Sequence, residues 1–176
     1  MKIKTSDLCK MALCTAFMCV SAYIAVPLPF TPILITAQTL AVNMTALVLK
    51  PKQAVLVQII YTLLGIIGLP VFSGGTGGLG RLLGPSGGYL IGYILAMFFI
   101  SLAVRNSDSI RRYIAASVCI GIPIIYICGT IGMLIYAKDG FWAVVTASVL
   151  PFIPLDIVKC VLASYAARLV KKAVKK

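Results

Sequence analysis

The stretch AVLVQIIYTLLGIIGLPVF, residues 54–72, decides the fold. It is far longer than one strand and lacks the in-out alternation of a barrel strand. About 20 apolar residues are what a helix needs to cross the hydrocarbon core of a bilayer. Lipid offers the backbone no hydrogen-bond partner, so a spanning segment is either a helix or a strand of a closed barrel, and this one reads as a helix. Comparable runs recur along the chain, which is 61% hydrophobic and 11% charged, against roughly 45–50% apolar in soluble domains. The sequence is that of an all-α integral membrane protein. Its 176 residues leave room for six transmembrane helices in a single domain, 1–176, with no separate soluble unit.

The expected helices are Asp7 to Val26, Ile33 to Leu49, Gln53 to Leu69, Pro85 to Val104, Tyr113 to Tyr136 and Pro154 to Val170. Gly140 to Leu150 reads as an amphipathic segment lying at the surface. Turns are marked by Pro27, Pro29 and Pro32, by Lys50-Pro51-Lys52, by the Gly-rich stretch, by Arg105 to Ser109 and by Lys138-Asp139-Gly140. The first run resembles a signal peptide but offers no convincing cleavage site between Ser21 and Pro32, so it reads as a retained helix. Sixteen basic residues face four acidic ones. In a soluble chain that balance would suggest nucleic acid, but here the basic residues collect on alternate loops: Lys2, Lys4 and Lys10, Lys50 and Lys52, Arg105, Arg111 and Arg112, then Arg168 to Lys176. The opposite loops hold only Arg81 and Lys138. Positive charge marks the cytoplasmic side, which places both termini inside. The Pro-rich first loop, the Gly-rich stretch and the approach to the last helix then converge on the outer face.

SGGTGGLGRLLGPSGG, residues 73–88, contains Gly75, Gly77 and Gly80 at G-x-G-x-x-G spacing. A dinucleotide turn needs a strand before it, a helix after it and an acid about 20 residues on. The run before it is no strand, and the first acid after Gly80 is Asp108. Nor does Gly84-Pro85-Ser86 supply the lysine of a phosphate loop. The glycines instead suit close packing. Gly84, Gly88 and Gly92 form a small-xxx-small stripe, and the loop from Gly74 to Gly80, including Thr76, can bring its backbone close to a ligand. The six cysteines show no C-x-x-C and there is no histidine, so no metal site is expected. Without histidine, a G-x-S-x-G or an acid pair, no catalytic constellation is present and the chain does not read as an enzyme.

Within PFIPLDIVK, Asp156 and Lys159 stand three apart on one face of the last helix. A charge at mid-bilayer costs about 2.5–3.5 kcal/mol on the insertion scale, so such residues usually face a cavity. The pair is either a structural lock or a ligand site. As a site, an acceptor-only carboxylate beside a donor-only ammonium suits a molecule with N–H groups and a carboxylate. Arg81, also on the outer face, is a second carboxylate holder or a solvated loop residue. Gln38 and Asn43 line a pocket or bond between helices. Tyr89, Tyr126 and Trp142 flank a flat ligand or anchor at the interface. Ala12 and Ala16 form an A-x-x-x-A pair suited to close helix packing. A small-solute channel is the rival reading, but it would need polar residues through the whole bundle.

PFTPILITAQTLAV, GLPVFSGGTGGLGRLLGPSGGYLIGY and PFIPLDIVK, with the helix count, resemble the BioY family, the biotin-binding S components of energy-coupling factor transporters. G-P-S/T-G-G-Y/F after a V-F-x-G-G turn is the most specific of these signatures. The resemblance implies a prokaryotic plasma-membrane subunit that captures biotin from outside; an S component for another vitamin is the nearest alternative. It implies partnership with a transmembrane coupling protein and two ATPase subunits, and no cofactor of its own. By motif, Asp156 would contact the ureido ring, Lys159 the valerate carboxylate, and Ala12 and Ala16 the coupling protein.

Overall fold

A computed structural model describes residues 4–29, 31–136 and 140–174. The loop charges at Lys2, Lys138, Lys175 and Lys176, and Asp139, lie outside the described residues. The elements run α1 (Thr5–Ser21), β1 (Ala25–Leu28), β2 (Thr31–Thr36), α2 (Gln38–Val48), α3 (Pro51–Ile66), α4 (Leu79–Leu82), α5 (Gly87–Val104), α6 (Ile110–Ala116), α7 (Ile122–Tyr136), α8 (Phe141–Ser148) and α9 (Ile153–Val174). A π-helical turn, Ser117–Gly121, makes α6 and α7 one continuous rod.

Two expectations are corrected at the first loop. The helices expected to reach Val26 and to begin at Ile33 stop at Ser21 and start at Gln38. Between them β1 and β2 pair antiparallel, Val26 opposite Ile35 and Ala25 opposite Thr36. The architecture is thus mostly helical, as expected, with one short hairpin at the first loop. The cause is local: Pro27, Pro29 and Pro32 lack the N–H a helix needs, and the surrounding Val26, Ile33, Ile35 and Thr36 are β-branched and favour extended backbone.

Other boundaries follow their signals. Lys50 is extended, Pro51 occupies the first turn of α3, and the Lys50 N–H donates to Gln53 Oε1 at 3.2 Å, which together start the helix cleanly. Gly88 and Gly92 do pack as the small-residue stripe predicts. A Cβ on Gly88 would lie 2.8 Å from Gly132 Cα, and one on Gly92 would lie 3.2 Å from Ile125 Cα. Glycine thus lets α5 and α7 meet backbone to backbone. Gly84 does not share this contact; its neighbours are the carbonyls of Gly80 and Arg81.

Among the described residues, two runs are long and apolar enough to cross a bilayer unaided, Gly87–Val104 and Ile110–Tyr136. A third is available if α8 and α9, bent by 44°, count as one span. The segment expected to lie flat on the surface is α8, whose Val144 and Ser148 are buried.

Hydrogen bonds mark the two ends of the bundle. At one, Gln53 Nε2 donates to Asp7, Ser101 Oγ to the Leu49 carbonyl at 2.5 Å, and Lys171 Nζ to the Tyr113 hydroxyl at 2.8 Å. The basic segments gather there. At the other end, the Gly74 N–H donates to the Ala22 carbonyl and the Tyr89 hydroxyl to the Ser148 carbonyl. The hairpin, the Gly-rich loop and the start of α9 meet at this second end.

Candidate functional site

The Gly-rich loop is built by its glycines. Gly74 and Gly75 take φ of +74° and +70°, a conformation that a side chain opposes. Phe72 and Thr76 can then exchange backbone hydrogen bonds across the turn at 2.8 and 3.2 Å. The Phe72 ring lies over Gly65, where there is no room for a Cβ. Thr76 Oγ1 in turn accepts from Arg81 Nε at 2.8 Å, and Arg81 Nη2 donates to the Ser73 carbonyl at 3.2 Å. The glycines that look like a phosphate cradle thus serve to fold a tight loop that aims one guanidinium.

Arg81 points into a cleft shared by the loop, α2, α5, α7, α8 and α9. On the α9 wall, Asp156 is 3% exposed. Lys159 Nζ donates to its Oδ1 at 2.8 Å and the Tyr126 hydroxyl to its Oδ2 at 2.8 Å. The placement has a local reason. Pro154 and Asp156 suit the first turn of a helix, where a carboxylate also gains from the helix dipole. An ion pair this buried is costly to desolvate and survives only with good geometry and extra hydrogen bonds, which Tyr126 supplies.

On the α2 wall, Gln38 is fully enclosed. Its Nε2 donates to the Tyr61 hydroxyl at 2.6 Å and its Oε1 accepts from Ser73 Oγ at 3.1 Å, while Tyr61 donates on to the Val71 carbonyl at 2.8 Å. Gln38 therefore both lines the cleft and ties α2 to α3 and the loop. Tyr89 packs against Gly129 with no space for a Cβ between them, and its hydroxyl reaches the Ser148 carbonyl at 3.1 Å.

The structure thus brings Asp156, Lys159, Arg81, Gln38 and Tyr89 to one cleft. Thr76 stands behind Arg81 and is not part of the lining. Asn43 is buried elsewhere, its Nδ2 bonded within α2 to the Thr39 carbonyl at 2.8 Å. Trp142 is 75% exposed and away from the cleft. Ala12 and Ala16 are exposed along α1, so their small face is not spent on packing within the chain. Sequence reasoning missed Tyr93 and Ser148 as lining residues. Tyr93 had a legible signal, standing four residues from Tyr89 and so on the same helix face. Ser148 had none, because the bend between α8 and α9 brings it in.

The BioY family model matches residues 1–176. This chain belongs to the BioY family. Its relatives include the biotin transporter BioY of Thermotoga maritima, 38% identical and covering 94% of this chain and 96% of that protein. The probable biotin transporter BioY of Bacillus subtilis is 35% identical over 94% of this chain and 90% of its own length. Among solved structures, the S-component for biotin from an ECF-type ABC transporter superposes with a TM-score of 0.90 at 25% identity, covering 97% of this chain and 95% of that one. A second S component, 17% identical with a TM-score of 0.59, shares the fold. The BioY chain is thus a multi-pass membrane protein of a transporter family, not an enzyme.

Proposed function

We propose that this BioY chain is the biotin-binding S component of an energy-coupling factor transporter in a prokaryotic plasma membrane. It crosses six times with both termini cytoplasmic, the cleft opens outward, and the chain works with a transmembrane coupling protein and two ATPase subunits. Family membership supports the assignment, and so does the asymmetry of charge, since the described basic residues other than Arg81 and Lys159 gather at the end remote from the cleft.

The observation that carries the substrate is the Asp156–Lys159–Tyr126 cluster in a cleft otherwise rich in aromatic and aliphatic side chains. Biotin presents two ureido N–H donors and a carbonyl at one end, an apolar bicycle, and a carboxylate at the other. Each Asp156 oxygen has a second lone pair, so it accepts a ureido N–H without releasing Lys159 or Tyr126. Lys159 touches Asp156, so both groups serve the same end, with the ammonium free to turn one donor to the ureido carbonyl. The carboxylate then falls to Arg81, whose fork suits it and which Thr76 and Ser73 hold by other N–H groups. The motif-based alternative keeps Lys159 for the carboxylate, which would separate the pair. Tyr89, Tyr93 and Tyr126 flank the bicycle, and Gln38 fixes the wall behind it.

Calorimetric titration of the purified chain should show biotin binding one to one with no nucleotide present. Binding of ATP or NAD in place of biotin would overturn the reading. For the partners, replacing Ala12 and Ala16 with Trp should leave biotin binding intact and abolish uptake with the coupling subunits, because bulk blocks close helix approach. Unchanged uptake would move the docking face off α1.

A further inference from the structure

Ser148 ends α8, just before the 44° bend into α9, and lines the cleft. It is fully buried, and among the described residues its hydroxyl has no hydrogen-bond partner. Nearby hydroxyls are used differently. Thr146, in the same helix, turns back to the Trp142 carbonyl at 2.9 Å, and Ser164 in α9 turns back to the Cys160 carbonyl at 2.7 Å, the usual resort of such side chains in a helix. Around the cleft, Tyr126 donates to Asp156, Tyr89 to the Ser148 carbonyl, and Ser73 to Gln38. A buried hydroxyl left unpaired costs stability that an alanine would not cost, so its presence calls for a partner.

The neighbours of Ser148 assign it to the ureido end. Its carbonyl holds the Tyr89 hydroxyl, and the Tyr89 ring lies over Gly129. Gly129 stands three residues after Tyr126 and so shares its face of α7, and Tyr126 holds Asp156. In the proposed binding mode, on which this inference rests, Asp156 accepts a ureido N–H and Lys159 turns one donor to the ureido carbonyl. That oxygen has a second lone pair. Asp156 has no proton to give it, and the Tyr126 proton is spent on Asp156. Ser148 has a proton with no other use.

We propose that the Ser148 hydroxyl donates to the ureido carbonyl of the ligand and is a specificity-determining residue of the cleft. Calorimetric titration of the full chain with biotin, desthiobiotin and biotin amide tests it, since all three keep the ureido ring while the second lacks the sulfur and the third the carboxylate. Ser148→Ala should weaken all three by about two- to tenfold, the worth of one neutral hydrogen bond. Ser148→Cys should do the same, because a thiol fills the space but donates weakly. The ligand-free Ser148→Ala protein should unfold in detergent at an unchanged or higher temperature, because its hydroxyl had no partner to lose. A lowered ligand-free unfolding temperature, or affinity restored by Ser148→Cys, would make Ser148 a packing residue and overturn the contact. A loss spared in biotin amide would move the hydroxyl to the carboxylate, and one spared in desthiobiotin would move it to the sulfur; either overturns the ureido assignment. Unchanged affinity in Ser148→Ala, with Asp156→Asn still weakened by about tenfold, would overturn this inference alone. An original chain that does not bind biotin would overturn the proposed function and this inference together.

Discussion

The chain contains the same pair twice. Asp7 and Lys10 on α1, and Asp156 and Lys159 on α9, are both Asp-x-x-Lys on one helix face, yet their surroundings differ. The α1 pair is 3.8 Å apart, with side chains 31% and 24% exposed for Lys10 and Asp7. The α9 pair is 2.8 Å apart, with side chains 15% and 5% exposed for Lys159 and Asp156. Asp7 uses another oxygen on Gln53 and so fastens α1 to α3 at the basic end. Asp156 uses its other oxygen on Tyr126, inside a cleft walled by aromatic rings. Spacing sets which side chains meet, whereas burial sets what the meeting is worth. A screened pair at the surface is worth about 0–1 kcal/mol, while an enclosed one is costly to keep and costlier to break.

The comparison is tested hardest by making the same change at both sites. Asp156→Asn removes a charged partner from a desolvated cleft, a loss of about 2–5 kcal/mol, and should weaken biotin binding by at least tenfold. Asp7→Asn should leave the affinity within twofold. Equal effects on titration would mean that the two pairs do the same job.

A smaller effect separates the pair from its support. Tyr126→Phe leaves the Asp156–Lys159 contact but strips one oxygen of its neutral donor, a change of about 0.5–1.5 kcal/mol. Biotin affinity should fall by about two- to tenfold, less than in Asp156→Asn. A fall as large as that of Asp156→Asn would make Tyr126 itself a principal contact. The smallest effect is expected at α1, where Lys10→Gln should change unfolding in detergent by no more than about 1 kcal/mol and leave biotin binding unchanged. A larger loss would show that the α1 pair is a structural lock after all.

The same contrast explains what could be read before the fold was known. Asp156 and Lys159 stood out because charge is expensive in lipid, an argument that needs no partner, whereas Arg81 stood out only as a basic residue on the outer face and read equally well as a solvated loop residue. The small-residue stripe at Gly88 and Gly92 was legible for a similar reason, since periodicity carries it. The hairpin was not, because three prolines announce a break in helix without saying that the flanking segments will pair. Nor was the Tyr126 contact, which joins residues thirty positions apart and depends on how α7 packs against α9. Thr76 was picked from the right loop, but its work is to hold Arg81. Only the turn at Gly74 and Gly75 shows that.

The central claim is that the α9 pair and Arg81 divide one ligand between them, and biotin amide tests it most directly. It keeps the ureido N–H groups and lacks the carboxylate. Titrated against the original chain, Arg81→Ala and Lys159→Ala, biotin should lose at least tenfold in both variants. The amide should lose as much in Lys159→Ala but little in Arg81→Ala, because it offers the guanidinium no carboxylate to hold. A Lys159→Ala penalty confined to the acid would return Lys159 to the carboxylate. Unchanged affinity for both ligands in Lys159→Ala, with a lowered unfolding temperature, would show that the pair locks the helix and does not read the ligand.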